Sequence, residues 1–206
     1  MLYKAVIFDM DGTLFDTERI YRKCWLAAGV PLEVYLSFIG TQEGFVLQKL
    51  AEAGLDAPAV MAKRRSLTAM ELEKGIPVKP GVFVCLAFLA DQGCLTAVAT
   101  STRLETARGY LEKAGISEMF TDIVSGAGLK NGKPAPDIFL ITAEHLGVSP
   151  DDCIVVEDSF NGVRAGKAAG MRTVMIPDLV EPDEEMRSIA DIILPSMAEL
   201  PGWLKG

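Results

Sequence analysis

The chain has one histidine, His145, in 206 residues, and its four cysteines (Cys24, Cys85, Cys94, Cys153) form neither a C-x-x-C pair nor a zinc spacing. The cysteines sit in apolar surroundings and read as reduced core thiols, which sets the expectation of a cytoplasmic protein. Positive charge is also scarce. Twenty Lys and Arg against 28 Asp and Glu leave a net charge of −8, which argues against a phosphate-tracking nucleic-acid surface. No apolar run approaches the roughly 20 residues of a membrane-spanning helix, so no membrane partner is expected. The first apolar stretch, Ala5 to Phe8, is stopped by Asp9 and is too short for a signal peptide. Repeats and low-complexity tracts are missing, and Gly126-Ala-Gly128 lacks the G-x-G-x-x-G spacing of a dinucleotide site. What remains is a chain that is 50% hydrophobic, able to bury a core as one domain or as one domain with an insert. An acidic protein that handles an anionic substrate needs local positive charge from a metal, a lysine or backbone amides.

Ala5-Val-Ile-Phe8 is a continuous apolar run bounded by Asp9-Met-Asp-Gly12, the pattern of a buried strand that ends in a polar loop. Similar runs occur at 95–99, 153–156 and 173–176, with a weaker one at 191–194. Helical patterns lie between them at about 81–90, 102–114, 135–146 and 161–169, closed by Gly93, Gly115, Gly147 and Gly170 as C-terminal caps. This alternation predicts an α/β fold with a Rossmann-like parallel sheet and right-handed crossovers. Ligands of such sheets bind beyond the carboxyl ends of the strands. Residues 14–77 break the alternation, with several helical patterns and no convincing strand. Thr17 is placed to cap a first helix in which Ile20, Cys24 and Ala27 share a face, and Gly29 and Pro31 stop it. Further helices are expected at 42–53 and 58–74, closed by Gly54 and Gly75. The expectation is a helical cap at 14–77, inserted after the first strand of a core formed by 1–13 and 78–206. The stretches near 14–16 and 75–81 would serve as its hinges.

Asp9 and Asp11 fall just past the first strand, and in extended chain residues i and i+2 project to one side. Two carboxylates there, with Gly12 at a sharp turn, could divide the roles of nucleophile and general acid/base; an acidic loop without chemistry is the plain alternative. Thr100-Ser101-Thr102 follows the next strong strand and offers hydroxyls and N–H groups at a helix start, an anion site. Lys133 lies in Gly132-Lys-Pro-Ala-Pro136, before a proline-started helix. Glu157-Asp158 follows the run ending at Val156, and hard carboxylate oxygens there suit Mg²⁺. Taken singly, these are a helix cap, a solvated lysine and an acidic turn. In order along one rim of a sheet they form a site.

Those residues resemble the haloacid-dehalogenase superfamily. Asp9-Met-Asp-Gly-Thr-Leu-Phe-Asp-Thr17 is similar to its first motif, D-x-D-G-T/V, and Thr100 to its second, a hydroxyl residue ending a strand. Lys133 matches the third, within K-P-x-P. Glu157-Asp158-Ser-Phe-Asn-Gly162 matches the fourth, E-D-S-x-x-G. With a helical insert after the first motif, the chain resembles the subgroup of β-phosphoglucomutases, phosphoglycolate phosphatases and sugar-phosphate phosphatases.

The resemblance implies a phosphatase acting on a small phosphorylated metabolite, a sugar or polyol phosphate, as a monomer or weak dimer. Asp9 would attack phosphorus to form an aspartyl phosphate, and Asp11 would protonate the leaving alcohol and later activate water. Mg²⁺ would be held by Asp9, the Asp11 carbonyl and Asp158, with Glu157 direct or through water. Lys133 would offset the charge of the phosphate, while Thr100, Ser101 and Thr102 bind it. Asp11 argues against dehalogenase chemistry, and the intact motifs argue against a silent binding protein. The alternative is a phosphomutase. The β-phosphoglucomutases carry a histidine where Tyr21 falls and an arginine near Glu43, and neither replacement serves a second phosphate. Arg65, beside Lys63 and Arg64, is the candidate cation for the distal part of the substrate. Trp25 reads as insert core and His145 as structural.

Overall fold

Short apolar runs with too few polar atoms to face water become the central strands of one six-stranded, all-parallel sheet. The structure, a computed structural model, describes residues 3–37 and 43–205. β1 is Ala5–Phe8. The insert follows, with α1 (Thr17–Ala27), α2 (Leu32–Leu36), α3 (Glu43–Glu52) and α4 (Ala57–Glu73). The chain then continues through α5 (Val82–Asp91), β2 (Leu95–Thr100), α6 (Leu104–Lys113), β3 (Asp122–Ser125) and α7 (Asp137–Leu146). It ends with β4 (Cys153–Glu157), α8 (Phe160–Ala168), β5 (Arg172–Met175), α9 (Glu184–Ile189), β6 (Ile192–Ile193) and α10 (Leu200–Lys205).

The strand order is β3-β2-β1-β4-β5-β6. The α/β, Rossmann-like expectation holds, with one addition: β3 has no apolar run to announce it. It is an edge strand, pairing among the described residues with β2 alone, from Ala97↔Asp122 to Thr100↔Ser125, so its Asp and Ser are tolerated. The central strands are buried on both faces, the reason they read as continuous apolar runs. On one face Ala5, Ile7, Ala99 and Val155 pack with Ile138, Phe139 and Ala143 of α7 and Ala165 of α8. Val6, Phe8, Val98, Ile154 and Val156 alternate to the other face and are equally buried.

The chain divides into two units, residues 1–16 with 77–206, and 17–76. The first includes residues 14–16 and 77–81 of the connecting stretches, which pair with each other. The Asp16 N–H donates to the Pro77 carbonyl at 2.8 Å and the Lys79 N–H to the Leu14 carbonyl at 2.9 Å. Leu14 and Phe15 are fully buried there. The helical unit has its own core of Trp25, Ala28, Val30, Tyr35, Val46, Leu50, Val60 and Met61. Asp56 starts α4 by accepting the Ala59 N–H at 3.1 Å, a side-chain cap ahead of Pro58 in the first turn. Thr17 is the first residue of α1, and α2 is a short helix that no sequence pattern announces. All four cysteines are buried free thiols. Among the described residues no helix is long and apolar enough to cross a membrane.

Candidate active site

Parallel strands deliver their carboxyl ends to one rim, and β1, β2 and β4 deliver the candidate residues there. Asp9 continues β1 by one residue, its N–H donating to the Val156 carbonyl at 2.9 Å. The chain then turns back on itself, with the Leu14 N–H on the Met10 carbonyl and the Gly12 N–H on the Phe15 carbonyl, both 2.9 Å. The turn needs Gly12. Its φ is +88°, and any Cβ would collide with the Asp158 carboxylate. Thr13 Oγ1 donates to Asp158 Oδ1 at 2.9 Å. The turn after β1 and the acidic pair after β4 are thus one packed unit.

Thr100 ends β2 and is buried; its hydroxyl accepts the Thr102 N–H at 3.1 Å. Ser101 is exposed beside it. Thr102, expected to bind substrate, here meets Asp11. Its Oγ1 donates to Asp11 Oδ2 at 2.8 Å, so the hydroxyl orients a carboxylate. The reason lies in β3, where the Ser125 hydroxyl donates to the Thr102 carbonyl at 2.7 Å and fixes the segment. Ser125 had no signal in the sequence, because β3 itself had none.

Lys133 reaches the centre of the cluster. Its ammonium donates to Asp9 Oδ1, to Glu157 Oε1 at 2.7 Å and to the Ala99 carbonyl at 3.2 Å. The Lys133–Pro134 peptide is cis. Glu157 is 0% exposed, and its other oxygen accepts the Asp158 N–H at 3.0 Å, the Ser159 N–H at 2.9 Å and the Ser159 hydroxyl at 2.9 Å. Ser159 also caps α8 by accepting the Gly162 N–H at 3.1 Å. Burial pushes the Asp9 carboxyl up to about 7; the Lys133 charge opposes this, and the Glu157 and Asp11 charges add to it. For Lys133, burial works against the ammonium, but Asp9 and Glu157 outweigh it and hold the group protonated well above its ordinary range.

Four carboxylates around one lysine are short of positive charge. Oxygens of Asp9, Glu157 and Asp158 lie within 4.8 Å of one another, an all-oxygen set suited to a hard divalent cation. The acceptor capacity of Glu157 is largely used by Lys133 and the Ser159 turn, which leaves Asp9 and Asp158 as the better-placed direct ligands.

Arg65 belongs to the helical unit, where it is exposed on α4. Its neighbour Arg64 packs inward instead, its guanidinium 5.5 Å from the Tyr21 ring centre and 5.0 Å from that of Trp25. Trp25 lies in that unit's core. Residues 40–42 and the Glu43 side chain lie outside the described residues. His145 pairs with Asp122 at 2.8 Å, on α7 and the edge strand.

A doubly wound parallel sheet with a buried acidic cluster and a lysine beyond its strand ends defines the class, an α/β enzyme. The chain belongs to the haloacid dehalogenase-like hydrolase family, which matches residues 3–170. It is 32% identical over 207 residues to hexitol phosphatase A of Escherichia coli (strain K12), covering 93% of this chain and 94% of that one. It is 31% identical over 181 residues to fructose-1-phosphate phosphatase YqaB of the same strain, covering 84% of this chain and 95% of that one. The crystal structure of CbbY from Rhodobacter sphaeroides in complex with phosphate is similar to it at a TM-score of 0.78 and 30% identity, over 96% of each chain.

Proposed function

We propose that this hydrolase is a Mg²⁺-dependent phosphatase that releases phosphate from a small phosphorylated sugar or polyol through an aspartyl phosphate on Asp9. The observation that carries the reading is the Lys133 ammonium bridging Asp9 and Glu157 beside Asp158, with Asp11 held by Thr102. The named phosphatases among its relatives support the substrate class.

An Asp9 oxygen attacks phosphorus as the bond to the ester oxygen breaks, and Asp11 in its acid form gives its proton to the leaving alkoxide. Water then attacks the aspartyl phosphate, Asp11 takes back a proton, and inorganic phosphate leaves Asp9 free. Lys133 lowers the repulsion between carboxylate and phosphate, and the Thr100 hydroxyl and Ser101 N–H hold the transferring oxygens. Asp9, Asp158 and the Asp11 carbonyl would hold Mg²⁺, with Glu157 behind them, and the ion would supply further positive charge against the phosphate oxygens. Hydrolysis is favoured over mutase chemistry because Tyr21, packed under Arg64, cannot exchange a proton near neutral pH as a histidine would.

The test is a panel of phosphorylated sugars and polyols assayed for phosphate release, with Asp9→Asn beside the wild type. The near-isosteric amide is a poor nucleophile, so turnover should disappear while the fold persists. Retention of more than about a tenth of the rate, under ~1.4 kcal/mol of barrier, removes Asp9 from the nucleophile role. Glucose 6-phosphate forming from β-glucose 1-phosphate faster than inorganic phosphate makes the protein a mutase.

A further inference from the structure

The loop carrying Asp9 and Asp11 is gripped from a direction that none of the family motifs accounts for. Lys79 lies in the second connecting stretch, and its backbone N–H is already tied to the Leu14 carbonyl at 2.9 Å. Its side chain turns inward, 14% exposed. There the ammonium donates to the Gly12 carbonyl at 2.7 Å and to Asp178 Oδ1 at 2.8 Å. Asp178 lies three residues past β5 and its side chain is 1% exposed. The same local stretch is anchored to the site, since the Ile176 N–H donates to the Glu157 carbonyl at 2.7 Å.

A surface lysine that meets an aspartate by chance gains almost nothing and moves freely. This pair is different because both groups are withdrawn from water and one ammonium proton is spent on a backbone carbonyl. The carbonyl belongs to Gly12, at φ +88°, and a glycine without a Cβ leaves its peptide planes with few steric restraints. Something must fix the plane between Gly12 and Thr13. In a trans peptide the carbonyl and the following N–H point opposite ways. Holding the Gly12 oxygen toward Lys79 therefore aims the Thr13 N–H away from it and sets the direction in which Thr13 reaches Asp158.

We propose that Lys79, anchored by Asp178, is a positioning residue for the catalytic loop, holding the Gly12 carbonyl so that Asp9, Asp11 and the Thr13–Asp158 contact keep their geometry for phosphoryl transfer. The proposal rests on the phosphatase reading for its kinetic arm only, because the loop's order can be read without turnover.

The experiment compares wild type, Lys79→Met and the double variant Lys79→Met/Asp178→Leu. Three quantities are followed: melting temperature, kcat and KM for phosphate release, and amide exchange across residues 12–15. Lys79→Met removes one partner of a buried pair and should lower the melting temperature, whereas the double variant replaces the pair by apolar groups and should recover most of it. Catalysis should not follow that recovery. Both variants should show kcat reduced about tenfold, the effect of losing one charge-assisted hydrogen bond, with KM nearly unchanged and exchange at 12–15 faster by a similar factor. Recovery of wild-type kcat and loop protection in the double variant would make the pair purely structural and overturn the proposal. If Lys79→Met does not fold, the double variant alone decides. A wild type silent on every monoester removes the phosphatase reading, and unchanged exchange at 12–15 removes this one.

Discussion

Gly162→Ala adds one methyl group, and the structure predicts a large loss. Gly162 sits in the first turn of α8 with ordinary helical backbone, so alanine is acceptable to the chain itself; the obstacle is space. A Cβ there would overlap both oxygens and the carboxyl carbon of Glu157. Glu157 cannot give way freely, because it is fully buried and accepts Lys133 on one oxygen and three donors from Asp158 and Ser159 on the other. Swinging the carboxylate aside breaks its pair with Lys133, a change that costs about 3–5 kcal/mol when one buried partner is lost. Lifting α8 instead breaks the Ser159 cap, about 1 kcal/mol, together with the packing beneath the helix. Taking ~4 kcal/mol, and ~2–4 °C per kcal/mol for a chain of this size, the midpoint should fall by about 10 °C. Gly109→Ala is the control. Gly109 lies within α6, a Cβ there meets nothing within 4 Å, and the change should stabilise by about 0.5–1 kcal/mol. Thermal unfolding followed by circular dichroism measures both. A Gly162→Ala midpoint within about 2 °C of wild type, at most ~1 kcal/mol, would mean the Glu157 carboxylate is not locked as described.

Other outcomes follow from the same contacts. Thr102→Val removes the donor to Asp11 Oδ2 and should lower kcat about tenfold while leaving the melting temperature within a few degrees; an unchanged kcat would show that Asp11 needs no such orientation. In metal-free protein burial raises Asp9 from 3.8 to about 7, so its contribution to stability is complete below 3.8 and is lost as pH rises through 7. Wild type should therefore lose melting temperature relative to Asp9→Asn between pH 4 and 7 in the presence of a chelator, and a parallel pair of curves would contradict the assignment. At pH 7.5, Mg²⁺ should raise the wild-type midpoint by binding the folded state, and Asp158→Asn should weaken that response; equal responses would place the ion elsewhere.

Much of this was legible because central strands in parallel sheets have one readable property. β1, β2 and β4 are central and buried along nearly their whole length, so they are mostly apolar, and the residues at and just past their ends fall at the rim where ligands of such sheets bind. Asp9, Thr100 and Glu157-Asp158 were found that way. β3 was not, since an edge strand half open to water can be written Asp-Ile-Val-Ser, and Ser125 and its grip on Thr102 went unseen with it. Side-chain direction was the second gap. The three cations of α4 are adjacent in sequence, and only coordinates show that Arg64 turns in against Tyr21 and Trp25 while Arg65 stays exposed. Lys79 carried no signal at all, because its partners Gly12 and Asp178 lie 67 and 99 residues away.

The strand order has a consequence for how the chain is made. Ala5–Phe8, the first of the six strands in chain order, takes the middle of the sheet, between partners that begin at Leu95 and Cys153. Until residue 95 emerges it has no neighbour, and the entire helical unit is synthesised in the interval. A four-residue apolar segment therefore waits unpaired while the residues up to Leu95 are made, and non-local parallel pairing is slow even when both strands are present. The nascent chain is most exposed to aggregation and most in need of chaperone cover in that interval. Ribosome-bound intermediates stalled before residue 95 should bind trigger-type holdases more strongly than those stalled beyond Glu157.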